Sequence, residues 1–330
     1  MQPYWIRTGR FACSALLHVL IFAAAAVSAQ PYPSKSIRIV DGFPPGGGTD
    51  FLSRTIGQKL TEAWGQPVVV DNRAGASSNI GADIAAKATP DGYTLFMGLT
   101  SVLAPSMTMY PNLPYNLLRD LAPVSRVATG AYILIATVGM PAKTVQEIIA
   151  LAKSKPGQLN YASSGVGSPS HLAGALFNLR AGVDIVHIAY KGGAPAAAAI
   201  AGGEAQLSFV SVPAGMPLVK AAKARAVAVT TAQRSRGLPE LPTIAESGLP
   251  GFDVTVTYGI FAPAGTPAAI INKLNTEVAR ILAQPDIVDR LSAVGLDARA
   301  STPQQFGEVV REEVALWSNV VREAKIRIEQ

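Results

Sequence analysis

The sequence predicts an α/β protein of two lobes, each a sheet flanked by helices, with a ligand cleft between them. Three observations predict it. Short β-branched runs alternate with helical patterns in two separate series. Between and after these series lie stretches where the chain crosses from one to the other. The C-terminal third is helical and has no fresh strand series of its own to cover, so it is expected to return to the first lobe. A chain of 330 residues suits two domains sharing a cleft.

In chain order, "SIRIVDGF" reads as a strand, Thr49 to Trp64 as a helix, "PVVVDN" as a strand, Ser77 to Ala88 as a helix and "YTLFMGLT" as a third strand. That order argues a parallel sheet, with ligands bound beyond the carboxyl ends of its strands. The second series begins after "DLAPVSRV". It runs through the strand "AYILIATV", a helix from Thr144 to Lys153, the strand "QLNYASS", a helix from Ser168 to Arg180 and the strand "VDIVHIAY". It continues with the Ala-rich helix "APAAAAIAGG", the strand "AQLSFVSV", a helix from Ala214 to Ala224 and the strand "ARAVAVTT". A proline-rich passage then precedes "FDVTVTYGIFAP". Two helical stripes close the chain, Ile270, Leu274, Val278 and Ile281, and Phe306, Val310, Trp317 and Val320. Crossings are expected near residues 125–135 and 250–260. The implied division is 30–130 for the first lobe, 131–251 for the second and 252–330 for the return. Two crossings make a hinge.

The first residues read differently. Arg7 and Arg10 precede an apolar run from Phe11 to Val27 that ends in "VSA", the pattern of a secretory signal peptide cut after Ala29. The apolar run is short for a membrane span and is followed by Pro31 and Pro33. Cleavage would take with it Cys13, the one cysteine, leaving no disulfide or thiolate chemistry. It would also lower the formal charge from +6 to +4. The remaining basic residues are scattered, which argues against nucleic acid as a partner and suits an anionic ligand.

Four loops stand where strands give way to helices: Pro44–Asp50, Asp71–Gly81, Tyr161–His171 and Tyr190–Pro195. All are rich in Gly and Ser. Helix N-termini and glycine nests present unpaired N–H groups that capture anions without arginine. One such loop needs no ligand, but four at strand ends point to a site. Enzyme signatures are sparse. There is no phosphate-binding G-x-x-x-x-G-K-[ST] and no G-x-S-x-G elbow, and "GVGSPS" lacks the third glycine of a dinucleotide fingerprint. With His171 and His187 the only histidines after residue 29, no metal site or cofactor is expected. His187 reads as a core or edge histidine. Ser168 and His171 are spaced to meet at a helix start, but no carboxylate orients them. Ser168 as an N-cap is the simpler reading, so no catalytic residues are assigned.

Taken together, "YPSKSIRIVDGFPPGGGTD", "VVVDNRAGASSNIGADIAAKATPDGYTL", "NYASSGVGSPSHLAGALF", "VHIAYKGG", "RSRGLPELPTIAESGLPGF" and "FAPAGTPAAIINKLN" resemble the Bug/TctC family, the solute-binding receptors of tripartite tricarboxylate transporters. The resemblance implies a type II-like periplasmic binding protein without catalysis; the sequence is silent on oligomeric state, and a monomer is the default expectation. Such a protein would clamp a small organic acid (a di- or tricarboxylate or an aromatic acid) and present it to a membrane permease. A sensor that docks to a membrane signalling protein is the alternative partner, and a Ser168/His171 hydrolase the remote one. Carried over by residue, the resemblance implies ligand contacts from Phe43, Pro45, Gly46, Gly47, Thr49 and Asp50. Asn72, Gly75, Ala76 and Ser77 would follow from the second loop and Thr100 from the third strand. The other lobe would supply Ser164, Gly165, Gly167, Ser168, His171, Tyr190, Lys191 and Ser211. "FVS" at 209–211 departs from the family's Phe-Asp-Asn, so Val210 cannot pair with a ligand ammonium, and a ligand without an amino group there is expected. Ala189, Ala175 and Ala222 also depart from the pattern, as do Ser77 and Ser78 where glycines are usual. The second loop is therefore the least regular.

Overall fold

A computed structural model describes residues 32–327, and the compact body begins at Lys35. The expected signal peptide lies outside the described residues. Among those described, no helix is long and apolar enough to cross a membrane.

The chain opens with β1 (Ile37–Asp41), α1 (Gly48–Trp64), β2 (Val68–Asn72), α2 (Asn79–Ala86) and β3 (Thr94–Leu99). β1 pairs in parallel with β2 on one side and β3 on the other. Ile37, Ile39 and Val40 are buried, as a central parallel strand covered on both faces requires. α1 ends at Gly65 in the left-handed conformation, φ 66°, the usual glycine stop.

Thr100 does not end the third strand, as the sequence suggested, but starts a further helix, α3 (Thr100–Met109). Pro105 sits inside it, which hid it from a reading by propensity. Burial of Val102, Leu103 and Ala104 overrides that penalty. The short α4 (Leu117–Asp120) is capped by Asn116, whose side chain accepts from the N–H groups of Leu118 and Arg119.

β4 (Leu121–Thr137) is a single strand of 17 residues, and it includes "APVSRV", which the sequence left between series. The elements α5 (Val145–Ser154), β5 (Asn160–Ser163), α6 (Pro169–Ala181), β6 (Val186–Ala189), α7 (Gly193–Gly202), β7 (Leu207–Ser211), α8 (Val212–Lys220) and β8 (Ala224–Val229) follow. Then come β9 (Thr255–Pro263), α9 (Ala268–Leu282), α10 (Pro285–Ala293), β10 (Leu296–Ala298) and α11 (Pro303–Glu323). The strands run β2-β1-β3-β9-β4-β7-β5-β6, with β8 and β10 also paired to β4.

β4 belongs to both halves of this path. Residues 121–131 pair antiparallel with β9, and Gly130 to Ala128 also take β10. From Tyr132 onward the same strand pairs with β7, and from Ile133 with β8. The transfer falls between Ala131, opposite Thr255, and Tyr132, opposite Ser211. Beyond it β5 lies parallel to both β6 and β7.

α9 buries Ile271, Leu274, Val278, Ile281 and Leu282, so Ile271 takes the place that the stripe gave to Ile270. α11 buries Phe306, Val310, Trp317 and Val320 as expected. It packs on α3 and also on α6. Phe306 and Val310 join a core with Val40, Phe96 and Phe261. Trp317 and Val320 join another with Phe177, Phe209 and Phe252. The three-residue β10 had no sequence signal.

Candidate functional site

The "FPPGGGTD" turn is held by a buried carboxylate at each end. Asp41 closes β1 and is fully buried. It accepts from the N–H of Phe43 at 2.9 Å and from Ser53 Oγ at 2.9 Å. Burial pushes its carboxyl above the usual range, against the lowering effect of hydrogen bonds from Phe43, Thr49 and Ser53. Asp50, in the first turn of α1, accepts from the N–H of Gly46 at 3.0 Å, from Arg54 Nε at 3.0 Å and from Asn72 Nδ2 at 3.1 Å. Burial alone would raise the Asp50 carboxyl; the Arg54, Gly46 and Asn72 bonds and the Arg54 charge hold it below its ordinary value. Asn72 Nδ2 also donates to the carbonyl of Phe43 at 3.0 Å, so β2's last residue clasps the turn. Thus Thr49, Asp50, Asn72 and Phe43 are committed to shaping the loop.

What the clasp leaves presented is glycine backbone. The N-cap of α1 is Gly47, which brings no side-chain cap, so the first turn's N–H groups look for partners outside the helix. Gly46, Gly47 and Gly48 line a cavity of about 390 Å³ with Phe51, Leu99, Tyr132, Ser211 and Tyr258. Gly130, Ala131, Pro213, Val256, Val294, Gly295 and Leu296 complete the wall. The cavity therefore sits where β4 passes from one half of the strand path to the other. A Cβ on Gly48 would stand 3.0 Å from the Tyr258 hydroxyl, so glycine is what lets the phenol reach the helix start. Burial pushes the Tyr258 hydroxyl up to about 12 and that of Tyr132 higher still. Both stay protonated donors. No residue lining the cavity is charged.

The second loop turns through three successive left-handed residues, Ala76 (φ 45°), Ser77 (φ 53°) and Ser78 (φ 71°), after Gly75 at φ 138°. A non-glycine residue in that region costs about 1–2 kcal/mol. Asn79 supports the turn. It donates to the carbonyl of Ala76 at 2.7 Å and accepts from the Tyr115 hydroxyl at 2.7 Å. Ser78 Oγ is buried without a hydrogen-bond partner and presses on Gly42, where a Cβ would stand 1.8 Å away.

The third and fourth loops form a separate polar cluster. Ser168 caps α6, accepting from the N–H of His171, and its hydroxyl donates to the carbonyl of Gly165 at 2.7 Å. Ser170 Oγ accepts from the N–H of Ser164 at 2.9 Å and lies 3.0 Å from the hydroxyls of Ser164 and Ser168. His171 Nδ1 accepts from the N–H of Gly167 at 3.0 Å, which fixes the Nε2–H tautomer. Burial, with His187 beside it, lowers His171 to about 3, and burial lowers His187 to about 4. Both rings are neutral near pH 7. Ser163 Oγ meets His187 Nε2 at 2.6 Å, and the N–H of Tyr190 donates to the carbonyl of Ser163 at 2.9 Å. That backbone bond sets the fourth loop beside the third, and Tyr190 Oη reaches Glu204 Oε2 at 3.4 Å.

Of the residues expected at the site, Gly46, Gly47 and Ser211 line the cavity. Phe43, Thr49, Asp50 and Asn72 build the loop behind it, with Pro45 on its exposed outer side. Gly75, Ala76 and Ser77 form the neighbouring turn. Thr100 is buried, with its hydroxyl donating to the carbonyl of Thr257 at 3.2 Å; its neighbour Leu99 faces the cavity instead. Ser164, Gly165, Gly167, Ser168, His171, Tyr190 and Lys191 are not among the lining residues. Val210 is buried in a core with Ile133 and Val229, so Ser211 is what the end of β7 presents. The sequence reading missed Tyr132 and Tyr258. The signal for them was there, since "AYILIATV" and "FDVTVTYGIFAP" each place one tyrosine on an expected crossing. The Ser168–His171 contact runs through the backbone N–H of His171, which gives Ser168 no base.

Comparison with known proteins agrees with this architecture. Residues 52–326 match the family described as the tripartite tricarboxylate transporter family receptor, TctC. The protein BugT of Bordetella pertussis is 37% identical over 306 residues, covering 92% of this chain and 94% of BugT. An R. palustris protein solved with adipate is 36% identical with a TM-score of 0.78, covering 90% of this chain and 100% of that one. MatC from Rhodopseudomonas palustris, solved with bound malate, is 31% identical with a TM-score of 0.73, covering 88% of this chain and 100% of MatC. The chain belongs to the TctC family of tripartite tricarboxylate transporter receptors, to which the Bug proteins are related.

Proposed function

We propose that this protein is a periplasmic receptor that captures a small organic carboxylate lacking an amino group and delivers it to a tripartite membrane permease. The observation that carries the reading is the uncharged cavity at the uncapped start of α1. A carboxylate there would be met by glycine N–H groups and the helix dipole, with the hydroxyls of Tyr132, Tyr258 and Ser211 as further donors. No carboxylate lines the wall to receive an ammonium. Phe51, Leu99, Pro213, Val256 and Leu296 suit an apolar body between the polar ends, and a volume of about 390 Å³ lies in the range of small-ligand sites, roughly 300–1,000 Å³. The relatives solved with adipate and malate support the same ligand class.

In this reading residues 30–130 and 252–330 act as one lobe and 131–251 as the other, flexing where β4 passes from β9 to β7. Closure would bring Ser164–His171 and Tyr190–Lys191 over the cavity and remove water from the carboxylate's contacts, where each gains strength. Export by a signal peptide cut after Ala29 and a monomeric state complete the proposal.

The test is a thermal-shift screen of the chain from Gln30, unfolded and refolded to strip carried-over ligand. The panel holds adipate, malate, citrate, benzoate, aspartate and glutamate, with the amides of any hit. A ligand at a hundredfold its Kd stabilises by roughly 2.7 kcal/mol. Stabilisation by a carboxylate and none by its amide supports the cradle. Stabilisation by aspartate or glutamate alone overturns the exclusion of amino acids, and silence across the panel overturns the organic-acid reading.

A further inference from the structure

A second cavity of about 250 Å³ lies along the same crossing strands and shares only Gly130 and Ala131 with the first. Its wall is basic where the first is neutral. Arg126 of β4, Arg299 just beyond β10, and Arg234 and Arg236 from the segment after β8 all line it, against a single acid, Asp297. Arg234 is spoken for by Glu246, with Nε to Oε2 at 2.9 Å. Among the described residues, Arg126, Arg236 and Arg299 take part in no ion pair. Arg126 Nε is moreover buried with no hydrogen-bond partner.

A half-buried guanidinium that makes no ion pair and keeps a buried Nε–H without an acceptor is costly and rare without a reason. Here burial, with Arg299 nearby, lowers the Arg126 guanidinium below its ordinary range, an effect that the Glu313 carboxylate only partly opposes. Glu313 faces a different cavity, of about 350 Å³, which Arg126 also lines. Two guanidinium groups with open N–H donors on one small cavity match the needs of a tetrahedral oxyanion, which accepts several such bonds at once.

We propose that this second cavity is an anion site for a small, doubly charged oxyanion of the phosphate class, held by Arg126 and Arg299 with Arg236 closing over it. Arg126 and Arg299 come from the part of the fold built on β9 and β10, and Arg236 from the segment following β8, so the bound ion bridges the two halves of the strand path beside the transfer point of β4. The site is distinct from the carboxylate cavity and does not depend on what that cavity holds.

The probe is inorganic phosphate, titrated calorimetrically at fixed ionic strength into the wild-type chain, Arg299→Gln, Arg236→Gln and Arg126→Lys. Arg299 and Arg236 are exposed, so their variants keep the fold, and the lysine retains charge at 126 while removing Nε. Saturable one-to-one binding is expected, weakened roughly tenfold or more in Arg299→Gln and Arg126→Lys and less in Arg236→Gln. The titration is repeated with the carboxylate cavity blocked by Gly47→Leu, where a Cβ meets only the carbonyl of Pro44 at 3.8 Å; unchanged phosphate affinity supports a separate site. Equal affinity in all arginine variants, loss of binding in Gly47→Leu, or no saturable binding to the wild type overturns the proposal.

Discussion

The imidazole rings of His171 and His187 stack face to face, with centroids 3.7 Å apart and planes within 7°. Two cations could not share that position, and the site keeps both neutral, with pKa values lowered by burial to about 3 and about 4. In the unfolded chain both take protons near pH 6.5. The unfolded state therefore binds more protons as pH falls from about 6.5 toward 4, and stability falls with it. The expected loss between pH 7 and pH 4 is on the order of 3 kcal/mol from His171, the more buried of the two. Urea unfolding at a series of pH values checks this. His187→Gln should flatten the profile, and an unchanged slope in that variant would remove the pair as its cause.

Asp50 ties two loops together through Gly46, Arg54 and Asn72. Asp50→Asn keeps the shape but replaces an acceptor oxygen with a donor and removes the charge facing Arg54. The expected cost is about 1–3 kcal/mol of stability. Binding of a carboxylate hit should weaken as well, because the glycine backbone is no longer held in place. Stability comes from chemical denaturation and affinity from titration. Full affinity in a destabilised variant would show that the clasp does not orient the cradle.

The contrast between Asp50 and Tyr258 explains what the sequence disclosed. Loop positions, the parallel series and the buried stripe of α11 follow from local pattern, because glycine, proline and hydrophobic period act over a few residues. The division of labour within the loop does not. Whether a polar side chain such as Asn72 faces a ligand or its own backbone is decided by a partner 22 residues away, Asp50. Tyr258 meets Gly48 only because β9 enters the sheet between β3 and β4. β10 is three residues long, too short for any period, yet Leu296 and its neighbours Val294 and Gly295 form part of the cavity wall.

Ser211 is the polar end of β7 at the cavity and has no charged neighbour in its wall. Ser211→Asp places a second negative charge against an incoming carboxylate in a low-dielectric space. The variant should lose carboxylate affinity by more than about tenfold, since like charges at such range cost over ~1 kcal/mol. Lowering the pH to protonate the new aspartate should restore part of it. Retained affinity at pH 7 would place the ligand's charge away from Ser211.

Ser78 combines two unfavourable features, a left-handed backbone at φ 71° and a buried hydroxyl without a partner. Glycine adopts that backbone freely and removes the stranded hydroxyl. Its greater freedom in the unfolded chain offsets part of this gain. Ser78→Gly is therefore expected to stabilise the protein by about 1 kcal/mol, a direction opposite to that of most substitutions at a buried position. Ser78→Ala separates the two contributions, because it removes the hydroxyl and keeps the strain. Thermal unfolding of both variants checks the argument. If Ser78→Gly is less stable than Ser78→Ala, the contact of Ser78 with Gly42 outweighs the backbone strain and the second loop depends on it.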